Sequence, residues 1–182
     1  MLLKPNMKWV ANQNIILPMV TAEVTRTPQT FIVKFNVEEP VDCYRATVQE
    51  DNDRSWEDSC VEVFLQNPAN PAEYFNFETT SRGFVLVARG TGRNDRQTLP
   101  LDTIAKIRRT STAPNIMDGS ICWGMTVEIP AEIFGIKKFE APLCGNLYKC
   151  ADKAKTPHYL SAFPIDTEKP DFHRPEFFQI LA

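Results

Sequence analysis

Three acidic side chains stand close together in stretches that read as strand. Asp58 and Glu62 lie in Trp56-Glu57-Asp58-Ser59-Cys60-Val61-Glu62-Val63-Phe64, and Glu78 lies in Tyr74-Phe75-Asn76-Phe77-Glu78-Thr79-Thr80. Paired carboxylates do two kinds of work. In a glycosidase one protonates the leaving oxygen while the other attacks or activates water. In a binding site they accept hydrogen bonds from a ligand. Trp56 sits just upstream, in the polar stretch Asp51-Asn52-Asp53-Arg54-Ser55-Trp56-Glu57-Asp58, where its neighbours offer little to bury an indole. A sugar ring presents apolar C–H faces and a rim of hydroxyls, so an aromatic wall beside carboxylates suits a saccharide. No second catalytic signature accompanies the acids. Binding therefore outweighs a glycosidase built on Glu62 with Glu78 or Asp58.

Other chemistries lack their signals. The five cysteines, Cys43, Cys60, Cys122, Cys144 and Cys150, form no CxxC pair. Their odd number fits reduced thiols better than a disulfide framework. His158 and His173 have no HExxH-type spacing, and no GxGxxG, P-loop or GxSxG occurs. A formal net charge of -3 gives no electrostatic footprint for nucleic acid. The short basic run Lys106-Ile107-Arg108-Arg109 reads as a solvated strand edge. No run approaches the roughly 18 apolar residues of a membrane-spanning helix. The N-terminal residues show no apolar core or cleavage site of a leader. The sequence as given thus reads as cytoplasmic, or as secreted or periplasmic if a leader was trimmed.

The elements that must position these residues are short. Fourteen prolines spread from Pro5 to Pro175 break up long helices. Strands are expected at Thr30 to Val37, Ser59 to Gln66, Tyr74 to Thr80, Gly83 to Arg89, Ile104 to Thr110, Ile121 to Ile129, Leu143 to Lys149 and Phe177 to Leu181. In the second of these, alternation puts Cys60, Glu62 and Phe64 on one face and Val61, Val63 and Leu65 on the other. Ser81-Arg82-Gly83 reads as a hairpin turn. The single helix expected is Pro130-Ala131-Glu132-Ile133-Phe134-Gly135, opened by proline and closed by glycine. Trp123, mid-strand, is expected in the core. Many short strands with one short helix predict an all-β, antiparallel β-sandwich, with residues 1–182 as one domain. The long, proline-rich and aromatic segment Thr156 to Pro175 is of the kind that carries function.

Taken in order, several blocks resemble the family 9 carbohydrate-binding modules and their bacterial relatives. Trp56 to Phe64, Tyr74 to Glu78 and Gly83 are similar to the family's central strands. Ile121 to Pro130 is similar to the late strand that leads into its short helix. Gly145 to Cys150, Pro157 to Ser161 and Asp171 to Phe178 continue the likeness to the C-terminus. The resemblance implies a β-sandwich that holds a mono- or oligosaccharide between two aromatic side chains, with polar side chains reading its hydroxyls. Trp56 matches one wall and Glu62 an acidic hydroxyl acceptor. Asn76 falls near a position where better-known members carry arginine. Glu78 and Arg82 complete the polar set. The second wall, a tryptophan in those members, is replaced by Phe172 or His173, which implies weaker stacking. Some members hold structural calcium, and Asp51 and Asp53 in Glu50-Asp51-Asn52-Asp53 offer oxygen ligands of suitable hardness. A related sandwich hosts haem through methionine and histidine, which here would call on His158 and His173 with Met117 or Met125.

Overall fold

The computed structural model describes residues 1–10 and 15–182. Among them are twelve strands: β1 (Leu2–Pro5), β2 (Met19–Arg26), β3 (Thr30–Pro40), β4 (Cys60–Gln66), β5 (Tyr74–Thr80), β6 (Val85–Gly90), β7 (Gln97–Thr98), β8 (Arg108–Met117), β9 (Ser120–Pro130), β10 (Cys144–Cys150), β11 (Tyr159–Ser161) and β12 (Gln179–Ile180). Their order is β7-β6-β5-β4-β10-β11-β1-β2-β3-β9-β8, with β12 added beside β10. The short β1 joins two antiparallel sheets, pairing with β11 on one side and β2 on the other. The first sheet, β1-β2-β3-β9-β8, is built around β3 and β9, which pair from Thr30↔Pro130 to Pro40↔Ser120. The second is centred on β5-β4-β10. The architecture is the antiparallel β-sandwich that the strand spacing predicts.

The two sheets meet through alternate residues. Phe31, Val33, Phe35 and Val37 of β3 and Ile121, Trp123, Met125, Val127 and Ile129 of β9 face the other sheet's Val61, Val63, Leu65, Phe75, Phe77, Val85 and Val87. β9 alternates strictly between buried and half-exposed residues, as a half-solvated sheet requires. By contrast β5 is buried at every position, and β4 at all but Gln66. Their outer face carries Cys60, Phe64 and Tyr74, continues into β10 through Tyr148 and Cys150, and forms a second apolar cluster under a cover from elsewhere in the chain. Ile165 and Phe172 come from the segment after β11, and Trp9 from near the N-terminus. Gly145 allows β10 to run tight against β4, since a Cβ there would collide with the Phe64 carbonyl oxygen. Gly83 takes φ +90° in the β5–β6 turn, a backbone conformation that glycine adopts without strain.

Three expectations need correction. Ile104 to Ile107 is not strand: Leu101–Ile104 is a four-residue helix, α1, and β8 begins only at Arg108. Ile104 and Ile107 are both buried, and a spacing of three suits a helical turn. Pro130 to Gly135 does form a turn of helix, but of 3₁₀ type over Ala131–Phe134. The C-terminal strand also shrinks to Gln179–Ile180, behind a 3₁₀ turn at Pro175–Phe177.

Candidate functional site

The outer face of the second sheet gathers the candidate chemistry. Register puts Glu62 directly opposite Glu78 on one side and Tyr148 on the other. Cys60 lies opposite both Thr80 and Cys150. Side chains two apart along each strand share this face. A cavity of about 210 Å³ opens on it, lined by Trp56, Glu62, Glu78, Arg93, Arg96, Cys150, Asp152, Tyr159, Pro170, Asp171, Phe172 and His173.

Trp56 lies in a 3₁₀ turn, Ser55–Glu57, just before β4. The end of β10 clamps this turn: the Asp152 and Lys153 amides donate to the carbonyls of Trp56 and Glu57. The indole is half-buried and forms one side of the cavity. Opposite elements come from far along the chain. Pro170 to His173 belong to the long segment singled out from its prolines and aromatics. Trp9 fastens that segment, donating its indole N–H to the Thr167 carbonyl at 2.8 Å. Phe172 lines the cavity but stacks flat on Tyr148, with ring centroids 4.1 Å apart and planes 7° apart, so one of its faces is already covered. His173 accepts or donates at Nδ1 to the Tyr74 hydroxyl, 2.8 Å away. Burial, with Arg96 and Arg93 nearby, holds its imidazole neutral at any ordinary pH.

The two glutamates are almost fully buried. Burial, then the Glu78 charge, raises Glu62 well above the ordinary carboxylate range. Burial likewise pushes Glu78 up to about 7, against the pull of Arg96 and Asn76. Asn76 Nδ2 donates to Glu78 Oε1 at 2.9 Å, and Arg96 Nη1 stands 3.5 Å from the same oxygen. Glu78 Oε2 has no partner among the described residues. Glu62 takes a hydrogen bond from the Cys150 thiol at 3.0 Å. Burial also raises Asp152, which stands beside the Tyr159 hydroxyl.

The structure brings together Trp56, Glu62, Glu78, Phe172 and His173. Asn76 is fully buried beside Glu78 and does not line the cavity. Arg82 points elsewhere, with its guanidinium over Phe84 and 3.5 Å from the Val48 carbonyl. Asp58 also stands apart. Its carboxylate is buried and takes the Thr47 and Val48 amides, the Thr47 hydroxyl and the Arg45 guanidinium. The candidate calcium ligands already have protein partners: Asp51 accepts from Arg109 at 2.7 Å and from the Val85 amide, while Asp53 caps the Arg54 amide. Among the described residues, no three His, Cys, Asp or Glu side chains converge on that loop. The histidines and methionines of the haem reading are dispersed. Met125 is in the inter-sheet core, Met117 is exposed, and His158 is buried against Lys149.

Sequence reasoning missed Arg93, Arg96, Asp152 and Tyr159. The first two lie in Gly90-Thr91-Gly92-Arg93-Asn94-Asp95-Arg96, a polar, glycine-bearing connection between β6 and β7. Asp95 ties it by accepting from the Thr91 and Gly92 amides. Arg96 Nε bonds the Arg93 carbonyl, and Arg93 holds Asp171 through Nε and Nη2 at 3.2 and 2.6 Å. Two guanidinium-bearing residues, glycine and aspartate in one short loop beside a strand of the site are the signal that could have found them.

Comparison with known families decides the class. The family described as "Carbohydrate-binding family 9" matches residues 5–182. The chain belongs to carbohydrate-binding family 9. A crystal structure described as that of a candidate carbohydrate-binding protein from Bacteroides uniformis is similar to this family 9 chain, with a TM-score of 0.80 and 32% identity. The match covers 88% of this chain and 76% of that one. No curated protein matches the sequence. Membership gives the polar cavity its context.

Proposed function

We propose that the cavity binds the end of a saccharide without cleaving it. One observation carries this reading: a half-buried indole, Trp56, shares a small polar cavity with a cross-strand pair of carboxylates and two guanidinium groups. The indole offers a flat wall for an apolar sugar face. Glu62, Glu78 and Asp152 accept hydrogen bonds from hydroxyls, and Arg93 and Arg96 donate to ring and hydroxyl oxygens. The unpartnered Glu78 Oε2 is an acceptor that a ligand hydroxyl satisfies. A volume of about 210 Å³ falls below the usual range for larger ligands, so a single ring or a chain end fits better than an internal stretch.

Non-catalytic binding is favoured because Glu62 and Glu78 stand side by side on one face of one sheet. A glycosidase needs its acid and its nucleophile or base on either side of the scissile bond. Phe172, covered on one face by Tyr148, offers less platform as a second wall, and His173 and Tyr159 also line the cavity.

A glycan array followed by calorimetry tests the proposal. Trp56→Ala is expected to weaken the best ligand by about 2 kcal/mol or more, roughly 30-fold, with little change in unfolding midpoint. Full-strength binding by Trp56→Ala, or no binding to any saccharide, overturns it. Glu62-dependent release of the leaving group from aryl glycosides would show an enzyme instead.

A further inference from the structure

At the floor of the cavity two thiols and a carboxylate converge. Cys60 and Cys150 are direct cross-strand partners, and Glu62 lies two residues along β4 on the same face. One ligand atom from each, the two Sγ atoms and a Glu62 carboxylate oxygen, lie within 4.8 Å of one another. All three residues are buried, while Glu62 and Cys150 reach the cavity wall. We propose that Cys60, Cys150 and Glu62 form a binding site for a soft divalent cation of the zinc class, with its fourth position open to the cavity.

The geometry and the charges both fit. Zinc bonds of about 2.3 Å to sulfur and about 2.0–2.2 Å to carboxylate oxygen place neighbouring tetrahedral ligands about 3.5 Å apart. The Cys150 sulfur is already 3.0 Å from Glu62 Oε1, so small side-chain rotations suffice. Three protein ligands plus one open position is the pattern of zinc sites that meet an external molecule. Two thiols select against calcium and magnesium, which prefer oxygen. On binding, each thiol gives its proton to solvent. Any proton held on Glu62 leaves with them. Two thiolates, one carboxylate and a dication then carry a single negative charge in sum, where the three deprotonated ligands alone would carry three. The metal also supplies the cation that Glu62 lacks: its hydrogen-bond partner is a thiol, and the Glu78 oxygen nearby is buried without any partner.

The site does not rest on the saccharide reading, and the test is run without sugar. The full chain, kept reduced, is titrated with cadmium while thiolate-to-metal charge-transfer absorption is followed, and with zinc in a calorimeter. One equivalent is expected to bind. Cys60→Ser combined with Cys150→Ser should weaken it roughly 100-fold or more, since even groups behind the ligands cost 10–100-fold. Replacing the two partly exposed thiols, Cys122→Ser with Cys144→Ser, should leave binding unchanged. Glu62→Gln, which keeps both thiols, should weaken it at least about tenfold. Absence of the charge-transfer band in the unaltered protein overturns the proposal. So does equal binding by the Cys60/Cys150 double variant or by Glu62→Gln.

Discussion

Strand β10 presents two buried acidic environments, one on each face, and they are built on opposite terms. On its inner face Lys149 is fully buried with Glu39. Every polar atom there has work to do. Glu39 Oε1 accepts from the Trp123 indole at 2.6 Å and Oε2 from Lys149 at 2.9 Å. The three Lys149 protons reach Glu39, the Cys150 carbonyl and His158 Nε2. His158 in its Nδ1–H tautomer then donates to the Thr156 carbonyl. On the outer face Tyr148 and Cys150 flank Glu62, whose partner is a thiol, and Glu78 keeps one oxygen unpaired. A buried charge closed on itself is structure. A buried charge left half-satisfied against a cavity is a place for something else to bind.

The sharpest way to break this contrast is to remove the inner cation. Lys149→Met keeps volume but strands the Glu39 carboxylate in the core, and should cost about 3–5 kcal/mol in chemical denaturation. Adding Glu39→Gln to that variant should restore at least half of the loss. A loss below about 1 kcal/mol for the single variant would mean that the inner network contributes little to folding.

The same contrast marks what the sequence could disclose. The two faces of β4 were legible because alternation is local: Cys60, Glu62 and Phe64 separate from Val61, Val63 and Leu65 within one strand. That Glu62 and Glu78 lie in neighbouring stretches of strand was also legible, but their direct cross-strand pairing is set by the register of β4 and β5. The inner network was not legible, since Glu39 and Lys149 are 110 residues apart and each looks like a solvated strand residue in isolation. Arg93 and Arg96 were hidden for a related reason. Their orientation depends on Asp171, 78 residues on, and on the register of β6. Ile104 and Ile107 were misread because two apolar residues in a basic run carry too little periodicity to separate a turn from a strand. Phe172 was found as an aromatic of the site, but nothing local to it shows that Tyr148 would cover one of its faces.

The outer face should respond to pH through Glu78. The folded state holds a proton on Glu78 up to about 7, whereas an ordinary glutamate releases it near 4.5. Folding therefore takes up a proton between those values, and this group's contribution to stability falls as pH rises from about 4.5 to about 7. Glu78→Gln keeps the shape and the Asn76 contact without the charge. It should stabilise the fold by about 1–2 kcal/mol at pH 8, and the gain should vanish near pH 4. Denaturation midpoints across that range check it. An equal difference at both ends would show that Glu78 does not titrate there. In calorimetry, saccharide affinity should rise over the same interval, because only the ionised pair offers every carboxylate oxygen as an acceptor.

The smallest effect belongs to the rim. Arg93 and Asp171 meet through two nitrogens, but their side chains are 50% and 29% exposed. Such a pair contributes about 0–1 kcal/mol to stability. Asp171 also accepts the His173 amide at 3.0 Å, so it sets the angle at which the Pro170–His173 segment meets the cavity. Asp171→Asn should thus leave the unfolding midpoint nearly unchanged. It should weaken saccharide binding by less than Trp56→Ala does, through looser placement of Arg93 and His173, and the deficit should shrink as salt screens the ion pair in the unaltered protein. A stability loss above about 1 kcal/mol would place Asp171 with Glu39, among the carboxylates that hold the fold together, and move the boundary between the two environments outward.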